Sequence, residues 1–211
     1  DKGSKELYAR VMELFTAFCA LVFLGVIFYI DIISLLLGRD FRSGVGVVPI
    51  MLFSYMVLGM LFNVSMWYKL SGKTNMAIWI TSAGLVVTLV VNLVFMPKYS
   101  YWAAAFGHLA SYVVMFILSA VLGQKYWPVP YRWGRILGTL ALMFLFYGLA
   151  SLADTHLFHF AGWDTDRHLL WWKLGVHTVL LLGYLLSAWA LLRKGIAPGA
   201  GDGSDVGAVR Q

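Results

Sequence analysis

Residues 76–96, MAIWITSAGLVVTLVVNLVFM, form a run of 21 residues that contains no charged side chain. A helix needs about 20 apolar residues to cross the hydrocarbon core of a bilayer, so this run is long enough to span a membrane. Five further apolar runs lie on either side of it, at 11–37, 47–68, 101–123, 135–153 and 169–192. The pattern therefore predicts an all-α polytopic membrane protein with six transmembrane helices.

The composition supports this prediction. Hydrophobic residues make up 61% of the 211 residues and charged residues only 12%. Within lipid every backbone N–H and C=O must be paired inside the protein, which favours helices. Alternation of polar and apolar residues is absent, which argues against a transmembrane β-barrel.

The basic residues are distributed unevenly between the two sides of the predicted membrane. When the loops are assigned to alternate sides, one side receives eleven of the sixteen Lys and Arg residues and the other side five. Loops with the Lys/Arg excess lie in the cytoplasm, so both ends of the chain are expected there. The net charge of +6 is thus explained by membrane topology and does not indicate nucleic-acid binding. The poor side holds Arg39, Arg42, Lys98, Arg167 and Lys173.

The two ends of the chain are expected to lie outside the bilayer. Residues 1–10 resemble a cytoplasmic helical lead-in, and residues 195–211, rich in Gly, Ala and Asp, are predicted to form a disordered cytoplasmic tail. The chain begins with Asp1 and has no signal peptide, which favours a piece of a longer protein. Cys19 is the only cysteine, so no disulfide can form within the chain.

Asp31 is an ionisable residue within the first apolar run. A carboxylate at the centre of a membrane helix costs about 2.5–3.5 kcal/mol on insertion, so such a residue is a functional candidate by default. Asp31 also lies towards the outer end of the run, where it could reach headgroups or Arg39. Both interpretations stay open at the level of the sequence.

Two polar stripes follow helical spacing within the apolar runs. Tyr55, Gly59 and Asn63 share one face of the second run. The third run carries a similar set on one face. Either stripe could pack against another helix or form the wall of a water-filled cavity, and packing is favoured for any single residue. This second set consists of Thr81, Gly84, Thr88 and Asn92.

Small residues open the fourth run. Ala103, Gly107 and Ser111 recur every fourth residue, which predicts a face that lets another helix approach closely. The loop 154–168 holds three histidines and three aspartates, but its spacing matches no metal site, so a solvated loop is favoured and no metal or cofactor is predicted.

A longer stretch, from Asn63 to Pro130, carries a family resemblance. It contains an aromatic-Lys turn ending in Gly72-Lys73-Thr74, a helix end at Pro97-Lys98, a short aromatic turn, and the Tyr-x-Pro-x-Pro loop that ends at Pro130. These elements resemble the bacterial polysaccharide-biosynthesis membrane proteins, the lipid-linked oligosaccharide flippases of the multidrug/oligosaccharidyl-lipid/polysaccharide exporter superfamily. The likeness covers about residues 1–135, and the last two helices share only hydropathy. The family usually has Gly where this chain has Ser100.

The resemblance implies a two-lobe exporter with a central cavity, of which this chain is the C-terminal lobe and an N-terminal lobe is the missing partner. The implied function is alternating-access export of lipid-linked, undecaprenyl-pyrophosphate-type oligosaccharide, such as an O-antigen precursor of lipopolysaccharide, across the bacterial inner membrane. Such a carrier breaks no bond and needs no catalytic residue or cofactor. The expected cavity residues are Asp31, Tyr55, Asn63, Thr88 and Asn92, with Arg42 and Lys69 as cations at the cavity mouths.

Two other functions remain as alternatives. A cation-coupled multidrug exporter of the same superfamily would need an essential buried carboxylate, and Asp31 is the candidate. A membrane-embedded glycosyl- or acyltransferase would need an acidic or histidine pair at a membrane face, and only the loop 154–168 offers one.

Overall fold

The computed structural model describes residues 2–36, 44–155 and 167–193. Arg42, most of the loop 154–168 and the tail 195–211 lie outside these ranges. The described chain holds eight helices and no strand, and its helices are α1 Lys2–Phe28, α2 Ile30–Leu36, α3 Val48–Val64, α4 Met66–Leu70, α5 Asn75–Tyr99, α6 Tyr101–Tyr126, α7 Trp133–Ala153 and α8 Arg167–Arg193.

Six helical segments are long and apolar enough to cross a membrane. Their bounds are Gly3–Phe28, Gly44–Leu70, Asn75–Tyr99, Tyr101–Tyr126, Trp133–Ala153 and Trp171–Arg193. The protein is therefore an all-α multi-pass membrane protein, and the predicted fold class is confirmed. The first apolar run is divided at Tyr29 into α1 and α2, and the lead-in from Lys2 onward continues directly into α1.

The helices pack as two groups joined by α3. α5 packs extensively against α6, and α6 also packs against α3. α3 in turn packs against α1, which contacts both α7 and α8. The best-buried core lies in this second group, around Phe28 and Leu24 of α1, Met143 of α7 and Tyr184 of α8. On the outside, large apolar side chains such as Leu93, which is 77% exposed, suit contact with lipid.

The small-residue face of α6 forms the seam with α5, as the sequence predicts. Ala103, Gly107 and Ser111 are all buried. Ser111 Oγ donates a hydrogen bond of 2.8 Å to the Gly84 carbonyl oxygen of α5, and Thr88 Oγ1 donates to the same oxygen at 3.0 Å. A Cβ atom on Gly84 would lie 2.2 Å from Met115 Sδ and 3.0 Å from Ser111 Oγ, so a larger residue there would displace the Met115 side chain.

The end of α5 differs from the sequence prediction. Pro97 was expected to stop the helix, but α5 continues through it to Tyr99. Pro97 removes one backbone N–H donor from this turn, and the helix ends two residues later. The helix ends at Ser100, whose φ of 52° and ψ of −131° turn the chain directly into α6. This conformation favours glycine, the residue that the resembling family usually has there.

The alternating helices give the bundle two ends. We call the end that carries Lys5, Lys69, Lys125, Arg135 and Arg193 the basic end, and the end that carries Phe28, Tyr99 and Asp154 the opposite end. At the basic end, Trp67 is buried, with only 2% of it exposed. Its Nε1 donates to Ser119 Oγ at 3.3 Å and its ring stacks on Tyr126, so Trp67 fastens α4 to α6.

Candidate functional site

A buried carboxylate joins α1 to α7 at the basic end. Glu13 lies on the inward face of α1, and its side chain is only 5% exposed. Arg135 Nη1 donates to Glu13 Oε2 at 3.3 Å, and Arg132 Nη1 lies 3.9 Å from Oε1. The two arginines flank the first turn of α7, which the Pro128-Val129-Pro130 loop brings back towards α1. A carboxylate in this position is retained only because guanidinium groups neutralise it.

A polar cavity of about 400 Å³ opens beside this ion pair. Arg10 from α1 lines it together with Arg132 and Arg135, and Arg132 keeps 54% of its side chain exposed. Glu6 and Glu13 supply the acidic part of the wall. Guanidinium groups bind phosphate oxygens in a bidentate manner, so three of them around one cavity suit an anionic ligand.

At the opposite end, Asp31 forms part of a charged cluster of three helices. Lys173 Nζ of α8 donates to Asp31 Oδ2 of α2 at 2.6 Å. The same ammonium group lies 3.4 Å from Asp154 Oδ2 at the end of α7. Lys173 is thus one partner of Asp31, and Arg39, the partner considered from the sequence, lies outside the described residues.

His177 completes the cluster from α8. Its Nε2 lies 3.2 Å from Asp154 Oδ1, and its Nδ1 lies 2.9 Å from the Phe28 carbonyl oxygen. Only 3% of the imidazole is exposed. Burial acts to raise the pKa of Asp154, but the hydrogen bond to His177 and the charge of Lys173 outweigh it and hold that pKa below its usual value.

The polar stripe of α3 does not face a single neighbour, since Tyr55 lies near α6 whereas Gly59 lies against Phe15 of α1. Tyr55 is 56% exposed, and its ring centroid lies 6.5 Å from that of Tyr112 on α6. His108 stands beside the same Tyr112 ring at 5.8 Å. Asn63 is partly buried and its Nδ2 donates to the Gly59 carbonyl oxygen at 3.2 Å, a bond within α3 itself.

The candidates of α5 occupy the seam with α6 instead. Thr88 bonds the Gly84 carbonyl, and Asn92 points at Gly107, where a Cβ atom would lie 3.3 Å from Asn92 Oδ1. That oxygen is buried and has no hydrogen-bond partner among the described residues. α3 and α5 have little direct contact, since α6 packs against both. The four polar candidates therefore fall into two separate pairs.

The remaining candidates are cations. Lys69 is exposed at the end of α4, at the basic end. Arg42 lies in the segment 37–43, beyond the residues that the structure describes. Within the described ranges, no three His, Cys, Asp or Glu side chains are close enough to hold a metal ion.

Sequence reasoning missed Glu13. This carboxylate shares the first apolar run with Asp31 and could have been singled out by the same rule. Its partner Arg135 is 122 residues away, so prediction of the pair would have required knowing that α1 packs against α7.

Comparison with protein-family models, with curated proteins and with solved structures finds no match. The family resemblance therefore depends on the residues of the 63–130 stretch.

Proposed function

We propose that this chain is the C-terminal lobe of a bacterial inner-membrane flippase that exports lipid-linked oligosaccharide by alternating access. The proposal starts from the resemblance of residues 63–130 to that family. The multi-pass helical fold and the excess of Lys and Arg at one end agree with it. In this orientation the basic end faces the cytoplasm, where the precursor is loaded.

The observation that carries the proposal is the arginine-lined cavity at the basic end. The substrate class has a pyrophosphate headgroup, which must be held by cations while the lipid tail stays in hydrocarbon. Arg10 and Arg132 are exposed to this cavity, and Arg135 is fixed beside them by Glu13. The sequence pointed to Arg42 and Lys69 for this role, and the cavity adds Arg10 and Arg132, with Arg135 largely committed to Glu13.

Contacts to the sugar are assigned to α3. Tyr55 presents a half-exposed ring beside Tyr112, and aromatic faces suit the apolar faces of sugar rings. Asn63 lies two turns closer to the basic end on the same helix. Thr88 and Asn92 instead lie along the seam of α5 with α6 and are assigned to packing.

The drug-exporter alternative gains no support from Asp31. That carboxylate is already paired with Lys173 at 2.6 Å, whereas a cation-coupled exporter of this kind needs a carboxylate available to the coupling ion.

Deletion of the gene in its native host tests the proposal. We expect loss of surface polysaccharide and accumulation of completed lipid-linked precursor on the cytoplasmic side. Increased drug sensitivity with normal polysaccharide would favour the exporter alternative, and incomplete precursor would favour a transferase. Either result would overturn the flippase proposal.

A double variant of the intact protein locates the site. Arg10→Gln with Arg132→Gln removes two cavity cations whose side chains are exposed, so the fold should persist. We expect at least about a tenfold lower export rate, because each charge-assisted contact to phosphate contributes about 1.5–3 kcal/mol. Lys125→Gln, at the same end but outside the cavity lining, is the matched control and should export normally.

A further inference from the structure

His177 has two ring nitrogens that both face hydrogen-bond acceptors. Nδ1 lies 2.9 Å from the Phe28 carbonyl oxygen, which can only accept, so Nδ1 carries a hydrogen. Nε2 faces Asp154 Oδ1 at 3.2 Å. Both of these atoms are inaccessible to water, and neither has a well-aligned hydrogen bond among the described residues. Protonation of His177 therefore decides whether the contact between Nε2 and Asp154 Oδ1 is attractive or repulsive.

With Asp154 ionised, as its lowered pKa favours, only one protonation state of His177 satisfies both contacts. A neutral imidazole with its hydrogen on Nδ1 would direct the lone pair of Nε2 at the Asp154 carboxylate, and the two would repel each other. A second hydrogen on Nε2 converts this contact into attraction. The Phe28 ring stacks on the imidazole with centroids 5.0 Å apart, which also favours the cation.

Other groups from each neighbouring helix complete the surroundings. Lys173 of α8 bridges Asp154 and Asp31, so charges of opposite sign alternate from Asp31 to His177. The Tyr29 hydroxyl lies 2.7 Å from Thr178 Oγ1, and Tyr147 of α7 lines the adjoining cavity. From α3, Pro49 reaches the cavity and brings no charge.

We propose that Asp154 and His177 form a proton-binding site that latches α1, α7 and α8 together at the opposite end when both nitrogens of His177 are protonated. The adjoining cavity of about 350 Å³ contains the route to the site. Asp154 is 38% exposed whereas His177 is 3% exposed, so the carboxylate is the point of contact with water. One proton is taken from water onto Nε2 and returns to water on release, and no other bond changes.

Release of this proton weakens the latch. The lone pair of Nε2 then faces the carboxylate, and the Phe28 carbonyl that holds Nδ1 lies at the end of α1. The hold of α7 and α8 on the α1–α2 segment, whose backbone hydrogen bonds continue through Tyr29, is thereby loosened. Applied to transport, this consequence rests on the proposed function. Parting of these helices would then open the central cavity of the carrier at the end away from the basic end.

Nitrogen-15 NMR of histidine-labelled full-length protein in lipid nanodiscs tests the proton site directly. The signal of His177 is identified by its loss in His177→Gln, since the chain has five histidines. Spectra are recorded across about pH 5 to pH 8, and we expect two protons on His177 at the acidic end, with conversion to one proton as the pH rises. In Asp154→Asn this conversion should occur at lower pH, because the neighbouring anion is gone. A single proton on His177 across the whole range, or a conversion that Asp154→Asn leaves unchanged, would overturn the site.

Hydrogen exchange measures the latch. After correction for the intrinsic effect of pH, amides of α2 and of the last turn of α7 should exchange about tenfold faster in the deprotonated protein. Asp154→Asn and His177→Gln should both abolish this pH dependence, whereas His108→Gln should retain it. A wild-type pH profile in both site variants would overturn the latch.

These measurements need no substrate and so separate the two proposals. Normal polysaccharide in the deletion strain would end the flippase proposal without affecting the proton site. A singly protonated His177 would end the proton site without affecting the flippase proposal.

Discussion

The two ends of the bundle connect the same group of helices through different chemistry. At the basic end Glu13 of α1 binds Arg135 of α7. At the opposite end Asp154 of α7 faces His177 of α8, whose Nδ1 is held by the Phe28 carbonyl of α1. Arginine keeps its charge at every physiological pH, whereas histidine is the side chain whose charge can change within that range. A change of pH in the physiological range is therefore expected to act on one end only.

Removal of the fixed carboxylate should have the largest effect. Glu13→Gln keeps the shape of the side chain and leaves the guanidinium of Arg135 without its anion. We expect a loss of about 2 kcal/mol, below the 3–5 kcal/mol of a fully buried pair because Arg135 is 26% exposed. Thermal unfolding in detergent measures it, with the exposed Glu6→Gln as control. The loss should be equal at pH 6 and pH 8, and a strong pH dependence would break the comparison between the two ends.

The uncharged packing around Trp67 at the basic end should be destabilised by an added methyl group. A Cβ atom on Gly123 would lie 2.8 Å from Cδ1 of the buried Trp67 ring. Gly123→Ala should therefore destabilise the protein by about 1 kcal/mol, since overpacking exceeds the gain of about 1 kcal/mol in helix propensity. Gly148→Ala in α7 has no atom within 4 Å and should be neutral or stabilising in the same unfolding assay. Equal effects of the two substitutions would contradict this account of Trp67.

The turn at the opposite end should become more stable when its strain is removed. Ser100 adopts a positive φ of 52°, which a side chain disfavours. Ser100→Gly should raise stability by about 0.5 kcal/mol, because the relief of strain exceeds the greater freedom of glycine in the unfolded chain. A higher unfolding temperature checks this expectation. Ser71→Gly, at a position of ordinary negative φ, should lower the temperature slightly and is the control.

The smallest effect should appear in acid. The pKa of Asp154 is lowered in the folded protein, so its contribution to stability is complete above the ordinary aspartate pKa of about 3.9. That contribution is lost as the pH falls through the lower folded-state value. The unfolding temperature of the wild type should therefore fall more steeply below about pH 4 than that of Asp154→Asn. Parallel acid limbs would show that the carboxylate is not stabilised by its neighbours.

The sequence predicted the parts of this molecule that depend on local pattern. Hydropathy alone located six membrane helices, and the spacing of Ala103, Gly107 and Ser111 identified the face that meets α5. The two ion clusters depend on pairs far apart in the chain, such as Lys173 with Asp31, which are 142 residues apart. No local signal specifies such a partner, because it follows from how α1, α7 and α8 pack.

The polar stripes also show that local pattern does not specify which helix a residue contacts. Thr88 and Asn92 repeat with helical spacing, as do Tyr55 and Asn63, and the sequence grouped all four as cavity candidates. Spacing fixes which face of its own helix a residue occupies, but the neighbour of that face depends on the fold. One pair meets α6 in a tight seam, and the other includes a half-exposed tyrosine.

The single residue between α5 and α6 has a consequence for how the protein enters its membrane. Because α5 packs extensively against α6 alone, the two form a helical hairpin whose contacts are complete before the later helices are synthesised. The hydroxyl groups of Thr88 and Ser111 are already bonded to one carbonyl within this hairpin. Insertion as a pair thus shields from lipid the polar groups that either helix alone would expose during biogenesis.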